Sequence, residues 1–305
     1  HNSGDSEEGG IEGQHGFWLR RIYFGYNTKL SDRLSARVRL EMNGSKFSES
    51  TITPYVKNAH LKYKMNGGAS LLVGIIEPPS FNKQEKFWGY RFIEKTAPDF
   101  FKFASSRDMG IALDGKTKGG LFYTVMYGNY GSNKGEDNQG KGFYGRIGYQ
   151  GKTMFAEANG HFASDHGKDI TYLSGFLGMK GGWGRLGAGF YYRNEAPEEG
   201  DSKNSSIVSV NFTKKFGKKS EFFARYDHFL KEGLKNPGGY VPIETKGQLP
   251  RFLIAGLIFK VHKMVKLSPN IKYVFYGEPD AMGKPDGSDF YFNLTAKISF
   301  KTKIK

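Results

Sequence analysis

Basic side chains alternate with apolar ones through much of this chain, and their chemistry follows from that spacing. In Arg33-Leu34-Ser35-Ala36-Arg37-Val38-Arg39-Leu40-Glu41-Met42 every even position is apolar and every odd one is polar or charged. A period of two puts the two sets on opposite faces of a strand, whereas a helix would scatter the charges around its surface. Continued along the chain, the alternation assigns Arg21, Arg33, Arg37, Arg39, Lys62, Lys64, Arg146, Arg185, Arg193, Arg225, Lys266, Lys272 and Lys297 to one shared polar face. Glu41, Asp108, Glu157 and Asp227 fall on the same face, so thirteen bases stand against four acids. Pairing cannot neutralise such a face, and small anions are the ligands it attracts.

Covalent chemistry finds little support. The chain has no cysteine, which excludes disulfides, thiolate zinc sites, covalently attached haem and cysteine nucleophiles. Its seven histidines are scattered singly, with no His-x-x-x-His pair to hold zinc. His161 and Ser164 are three residues apart and so point to opposite faces of a strand, against a hydrolase pair. Gly184-Arg185-Leu186-Gly187-Ala188-Gly189 has the glycines of a phosphate loop but lies inside an alternating strand, where glycine accommodates neighbouring side chains. The acidic start, Asp5 to Glu8, reads as a solvated loop. No enzymatic activity, metal or cofactor is expected.

The elements that would carry the basic face are strands. Alternation bounded by turn clusters predicts about fifteen of them, near 16–27, 33–43, 53–65, 69–77, 105–114, 120–129, 141–150, 153–163, 170–180, 183–193, 205–215, 220–229, 250–261, 265–277 and 288–301. Short connections alternate with longer ones, so one end of the sheet has tight turns and the other has loops. The longest apolar run is about eight residues, Phe252 to Phe259, and a membrane-spanning helix needs roughly 20. The chain also holds 42 glycines in 305 residues, about twice the ordinary usage near ~7%.

Strands of this length, with alternating faces and alternating connection lengths, describe an all-β transmembrane antiparallel barrel, in which every backbone group is satisfied away from water. A soluble sandwich would use strands of about five or six residues. Residues 1–305 then form one outer-membrane barrel domain. With the tight turns facing the periplasm, the first and last visible strands run in the same direction. Single-chain barrels usually have even strand numbers, so the expected total is about sixteen, the first strand lying before His1 and residues 1–15 being the remainder of an external loop. The formal charge of +15 is interleaved along the sequence without a basic block, an RNA-recognition motif or a zinc finger, so nucleic acid is not an expected partner. Basic side chains on the lipid face would each cost ~2–4 kcal/mol at the bilayer midplane, and they must therefore line the lumen.

Several segments resemble a known family. Phe17-Trp18-Leu19-Arg20-Arg21-Ile22-Tyr23-Phe24-Gly25, Ser31-Asp32-Arg33, Lys57-Asn58-Ala59-His60-Leu61-Lys62-Tyr63-Lys64 and Leu72-Val73-Gly74-Ile75-Ile76-Glu77-Pro78-Pro79 look like the opening of the phosphate-selective porin O and P family. Arg91-Phe92-Ile93-Glu94-Lys95-Thr96-Ala97-Pro98 and Ser106-Arg107-Asp108-Met109-Gly110-Ile111 are similar to its third-loop segment and the return into the next strand. Phe223-Ala224-Arg225-Tyr226-Asp227 and Asn270-Ile271-Lys272-Tyr273 resemble late strands. The resemblance implies a sixteen-stranded, homotrimeric outer-membrane porin with a basic pore that admits phosphate. Glu77 departs from it, standing where many members carry lysine.

The longest connection, 78–104, contains Phe87-Trp88-Gly89-Tyr90-Arg91-Phe92 and Phe100-Phe101-Lys102-Phe103. It is too apolar to extend into water and is expected to fold inward as the constriction. Lys83, Lys86, Arg91, Lys95 and Arg107 are then candidates for the narrowest point, with Glu94 and Asp99 as acceptors. Such a carboxylate could accept a hydrogen bond from a protonated phosphate or brace an arginine, and for Glu94 the brace is the plainer reading. The expected function is an anion-preferring diffusion channel for phosphate or similar small anions, embedded in outer-membrane lipid and lipopolysaccharide. A general or sugar-type porin and a plugged scaffold barrel are the alternatives.

Overall fold

The computed structural model describes residues 2–3, 15–43, 52–136, 139–231, 249–277, 287–300 and 302. The strands are β1 Asn2–Ser3, β2 Arg21–Lys29, β3 Leu34–Asn43, β4 Thr53–Lys64, β5 Ala69–Ile76, β6 Asp108–Lys116, β7 Leu121–Gly128 and β8 Gly142–Gln150. They continue as β9 Met154–Ser164, β10 Lys168–Gly181, β11 Gly184–Pro197, β12 Lys203–Phe216, β13 Ser220–Lys231, β14 Arg251–His262, β15 Val265–Gly277 and β16 Gly287–Ile298. All belong to one antiparallel sheet in which β2 to β16 pair in chain order and β1 lies beside β16. This is the transmembrane barrel that the alternation predicts.

Two boundaries differ from expectation. Residues 16–20 precede the first long strand, which begins at Arg21. Asn2 and Ser3, expected in an external loop, instead pair with Tyr291 and Phe290 of β16. Residues 4–14, including Asp5 to Glu8, and the loop around Asn236-Pro237-Gly238-Gly239 lie outside the described residues.

Faces alternate cleanly. Phe24, Val38, Leu61, Val73, Ile111, Val125, Ile147, Leu177, Phe190 and Leu294 point outward and are exposed. An apolar belt of that extent is the surface a lipid bilayer covers. The ladder shifts register at four places among the described residues, and at the one between β3 and β4 Arg39 pairs with Asn58 while Leu40 pairs with Val56, so Lys57 is an extra residue. It therefore turns inward with Asn58, and both are buried.

The interior is filled by the segment between β5 and β6. It forms two short helices, α1 Asn82–Trp88 and α2 Ala97–Phe100. α1 ends at Gly89, whose φ of 78° suits glycine and whose N–H donates to the Glu85 carbonyl. Trp88, Tyr90, Ile93, Phe100, Phe101 and Phe103 pack on inward side chains of the far wall, among them Tyr172, Tyr191, Ile207, Phe223, Phe252 and Ile254. Each of these large apolar groups contributes about 1.5–3 kcal/mol when fully buried, so the segment is fastened to one side of the lumen.

Candidate pore constriction

The constriction is built by α1 and the wall opposite it. Gln84 and Trp88, one helical turn apart, are buried toward the covered wall, where Gln84 Nε2 donates to Glu157 at 3.0 Å and to Ser174 at 3.2 Å. Phe87 reaches the same wall and stacks on Phe155 at 5.8 Å and edge-on against Phe176 at 5.4 Å between ring centroids. It fits because Gly178 of β10 and Gly187 of β11 are directly paired; a Cβ on Gly178 would stand 2.6 Å from the Phe87 ring, and one on Gly187 3.0 Å. Lys83 and Lys86 take other positions on this helix, Lys83 half-buried with its ammonium 4.2 Å from the Phe122 ring centroid and Lys86 exposed.

The structure separates the thirteen predicted lining bases into groups. Arg185 donates to the carbonyls of Phe87 at 2.9 Å and Trp88 at 3.4 Å. Arg193 donates to the Phe103 carbonyl at 2.8 Å and pairs with Glu195. Arg225 pairs with Asp227 at 2.8 Å and donates to the Lys95 carbonyl. Lys272 pairs with Glu94 at 2.5 Å. Arg146 donates to Asn82 and Thr124 and lies 3.5 Å from Asp114 and 3.9 Å from Glu157. These five face inward but hold the constriction segment in place, so for them the reading as open pore lining is corrected. Arg33 is corrected as well, since it sits exposed in the tight turn between β2 and β3 rather than on a strand face.

The remaining predicted bases lie on β2 to β4, β15 and β16. Arg21 pairs with Glu41 at 2.8 Å, and Lys57 pairs with the same carboxylate. Arg39 approaches Glu77 at 4.0 Å. Arg37, Lys62, Lys64, Lys266 and Lys297 make no ion pair with the described residues, and neither do Lys83 or Lys86. Lys297 lies 5.1 Å from the Phe92 ring centroid. Arg107 donates to Asn133 at 2.9 Å and covers the Tyr55 ring at 4.9 Å.

The acids of the segment serve as braces. Glu94 is fully buried between Lys272 and Arg20; the latter donates to it at 3.0 Å and also to the carbonyls of Phe92 and Ile93. Burial alone would raise the Glu94 carboxyl, but Lys272 and Arg20 outweigh it and hold it at about 2. Asp99 is likewise pulled down against its burial to about 2, chiefly by Arg91, which bridges it to Glu85. Burial raises Glu85, and the adjacent Asp99 adds to that shift. Glu77 resists its own burial because Lys86, Arg37 and Arg39 surround it, and its carboxyl is lowered. Lys95 is half-buried, and its backbone N–H donates to Glu94 at 3.0 Å.

Alternation alone could not place several members of this site. Lys57 enters through a bulge, Arg20 precedes its strand, and Glu85 lies in the segment. Glu221, which accepts from Tyr90 at 2.7 Å and pairs with Lys260 at 2.6 Å, follows the strand period and was legible as an inward acid. Asp114 was legible in the same way.

No family model and no curated protein matches the sequence. Solved structures match the fold. OmpT, an outer membrane protein of Vibrio cholerae, superposes with a TM-score of 0.65 at 15% identity over 91% of this chain and 88% of that one. An anion-selective porin from Comamonas acidovorans gives 0.65 at 12% identity, covering 92% and 89%. OmpF of Salmonella typhi gives 0.64 at 12%, covering 91% and 89%. The fold is a porin-type outer-membrane β-barrel. In this barrel the segment between β5 and β6 divides the inner wall into a covered side, which it contacts from β8 to β16, and an open side that begins at β2.

Proposed function

We propose that the protein is an anion-preferring diffusion channel of the outer membrane, admitting phosphate or similar small anions passively, without catalytic chemistry or cofactor. The observation that carries this reading is the set Arg37, Lys62, Lys83 and Lys86 turned to the lumen, none of them ion-paired with a described residue. Inward acids are largely engaged by the bases that hold the constriction segment, so the charge left facing the pore is positive. Rings of Arg and Lys suit anion or phosphate pores, and a low-dielectric wall focuses their field. The resemblance to the phosphate-selective porin O and P family supports phosphate as the solute and a homotrimer as the assembly.

The zero-current potential of the purified protein in a planar bilayer under a potassium chloride gradient tests the proposal, followed by titration with phosphate. A chloride-favouring potential, with conductance that phosphate blocks at low concentration, is the expected result. A cation-favouring potential would overturn it. A weakly selective channel indifferent to phosphate would favour a general diffusion porin, a reading supported by Glu77 opposite Arg39, which sets acid against base across the open side.

A further inference from the structure

We propose that the tight-turn end of the barrel is a binding surface for anionic phospholipid headgroups of the leaflet it faces. All seven tight turns carry a base in the turn or at its strand edge. They are Arg33 between β2 and β3, Lys64 between β4 and β5, Lys118 between β6 and β7, Lys152 between β8 and β9, Lys180 between β10 and β11, Lys218 between β12 and β13, and Lys263 between β14 and β15. All seven are exposed, and Asp32 is the sole carboxylate in these turns. The long-loop end is mixed in charge, its exposed described residues including Glu136, Asp169, Glu198, Glu199 and Asp201 beside Lys134, Lys168, Lys203 and Lys231.

The distribution favours a lipid leaflet over a discrete protein, because the bases encircle the whole perimeter and do not gather on one side. Five of them also lie within three residues of an exposed apolar side chain: Tyr63 precedes Lys64, Tyr149 precedes Lys152, Met179 precedes Lys180, Phe216 precedes Lys218 and Met264 follows Lys263. A lysine in that setting lays its stem on apolar surface and holds its ammonium at headgroup level. Basic groups there are attracted to anionic lipid, with a range limited to about a Debye length. A cavity of about 690 Å³ opens on the outer face between β7 and β12, lined by Leu121, Tyr149, Leu177 and Phe190. Leu121 is three residues from Lys118 and Tyr149 three from Lys152, so an acyl chain seated there has its phosphate beside these bases.

The inference needs only the barrel and is independent of which ions pass through it. The test uses the whole protein in phosphatidylcholine vesicles carrying a trace of spin-labelled phosphatidylglycerol or spin-labelled phosphatidylcholine, with the immobilised fraction read by electron spin resonance. Phosphatidylglycerol should associate at least about two-fold more strongly than phosphatidylcholine, and the ratio should fall as salt screens the bases. The combined variant Lys118→Gln, Lys152→Gln, Lys180→Gln and Lys218→Gln should bring the ratio close to one, while Lys134→Gln with Lys168→Gln at the long-loop end should leave it unchanged. Equal association in the wild type, a ratio insensitive to salt, or a preference that survives in the folded tight-turn variant would each overturn the proposal. Channel selectivity measured on the same samples separates its failure from that of the anion-channel reading.

Discussion

The two sides of the inner wall are made by the same alternating strands and differ in nearly everything else. On the covered side the inward positions include Phe155, Phe176, Ile207, Phe223, Phe252, Ile254 and Ile258, and bases among them such as Arg225 at 2% and Lys272 at 5% exposure are buried with partners. On the open side the inward positions of β2 to β4 carry Arg21, Tyr23, Arg37, Arg39, His60 and Lys62 with hardly an apolar group. An inward-facing base is therefore not yet a pore-lining base. The constriction segment decides which one meets the solute and which one fastens the segment.

The largest difference should appear when one charge is removed from each side. Lys272→Met leaves Glu94 fully buried with one of its two pairing bases gone, and breaking a buried pair costs about 3–5 kcal/mol. Arg39→Gln removes a half-exposed base with a partner at 4.0 Å, and such changes usually stay within about 0.5 kcal/mol. Thermal unfolding in detergent, together with protease cleavage within 78–104, reads both, and equal losses would erase the distinction between the two walls. Next in size are the glycines. Gly178→Ala drives a methyl into Phe87, an overpacking worth about 1–3 kcal/mol, which Phe87→Leu in the same chain should partly relieve. Inward Gly25 on the open side has no atom closer than 3.9 Å to its notional Cβ, and Gly25→Ala should be nearly silent in the same melt.

Selectivity should show the reverse preference. Arg37→Gln with Arg39→Gln should lower the chloride-over-potassium permeability ratio several-fold in a planar bilayer, because those charges face the solution. Arg193→Gln, buried against the Phe103 carbonyl, should cost stability and leave the ratio nearly unchanged. A larger selectivity loss from Arg193→Gln would mean that the covered wall also conducts.

Much of this was legible in the sequence. The strand period placed fifteen strands within a few residues of their observed ends, because lipid on one face and a polar lumen on the other leave no tolerance for a slipped register. The inward folding of 78–104 was legible from Trp88, Tyr90, Phe100, Phe101 and Phe103, which could not remain in water. Which wall it would choose was not, although Ile207, Phe223, Ile254 and Ile258 occupy lumen positions where a barrel open on all sides would carry polar groups. Lys57 escaped because a bulge breaks the period locally, and Arg20 because its contact with Glu94 spans 74 residues. Periodicity carries faces; long-range pairing is a property of the packed segment.

The smallest predicted effect is an absence of change across the neutral range. Glu94 and Asp99 have carboxyls held at about 2, below their ordinary 4.5 and 3.8. A depressed native value means that the stabilisation is complete above the ordinary value and is lost as pH falls through the native one. Glu94 clasps the constriction segment to Lys272 of the covered wall and Asp99 braces it internally through Arg91, so protease resistance within 78–104 should be flat from about pH 7 to about pH 5 and decline only between about 4.5 and about 2. The open side should behave alike, since Lys86, Arg37 and Arg39 also lower Glu77, and selectivity should hold over the same range. A release of the segment centred near pH 6 would place its clasp on a group other than these two carboxylates, and the covered wall would then owe its hold to something besides Lys272.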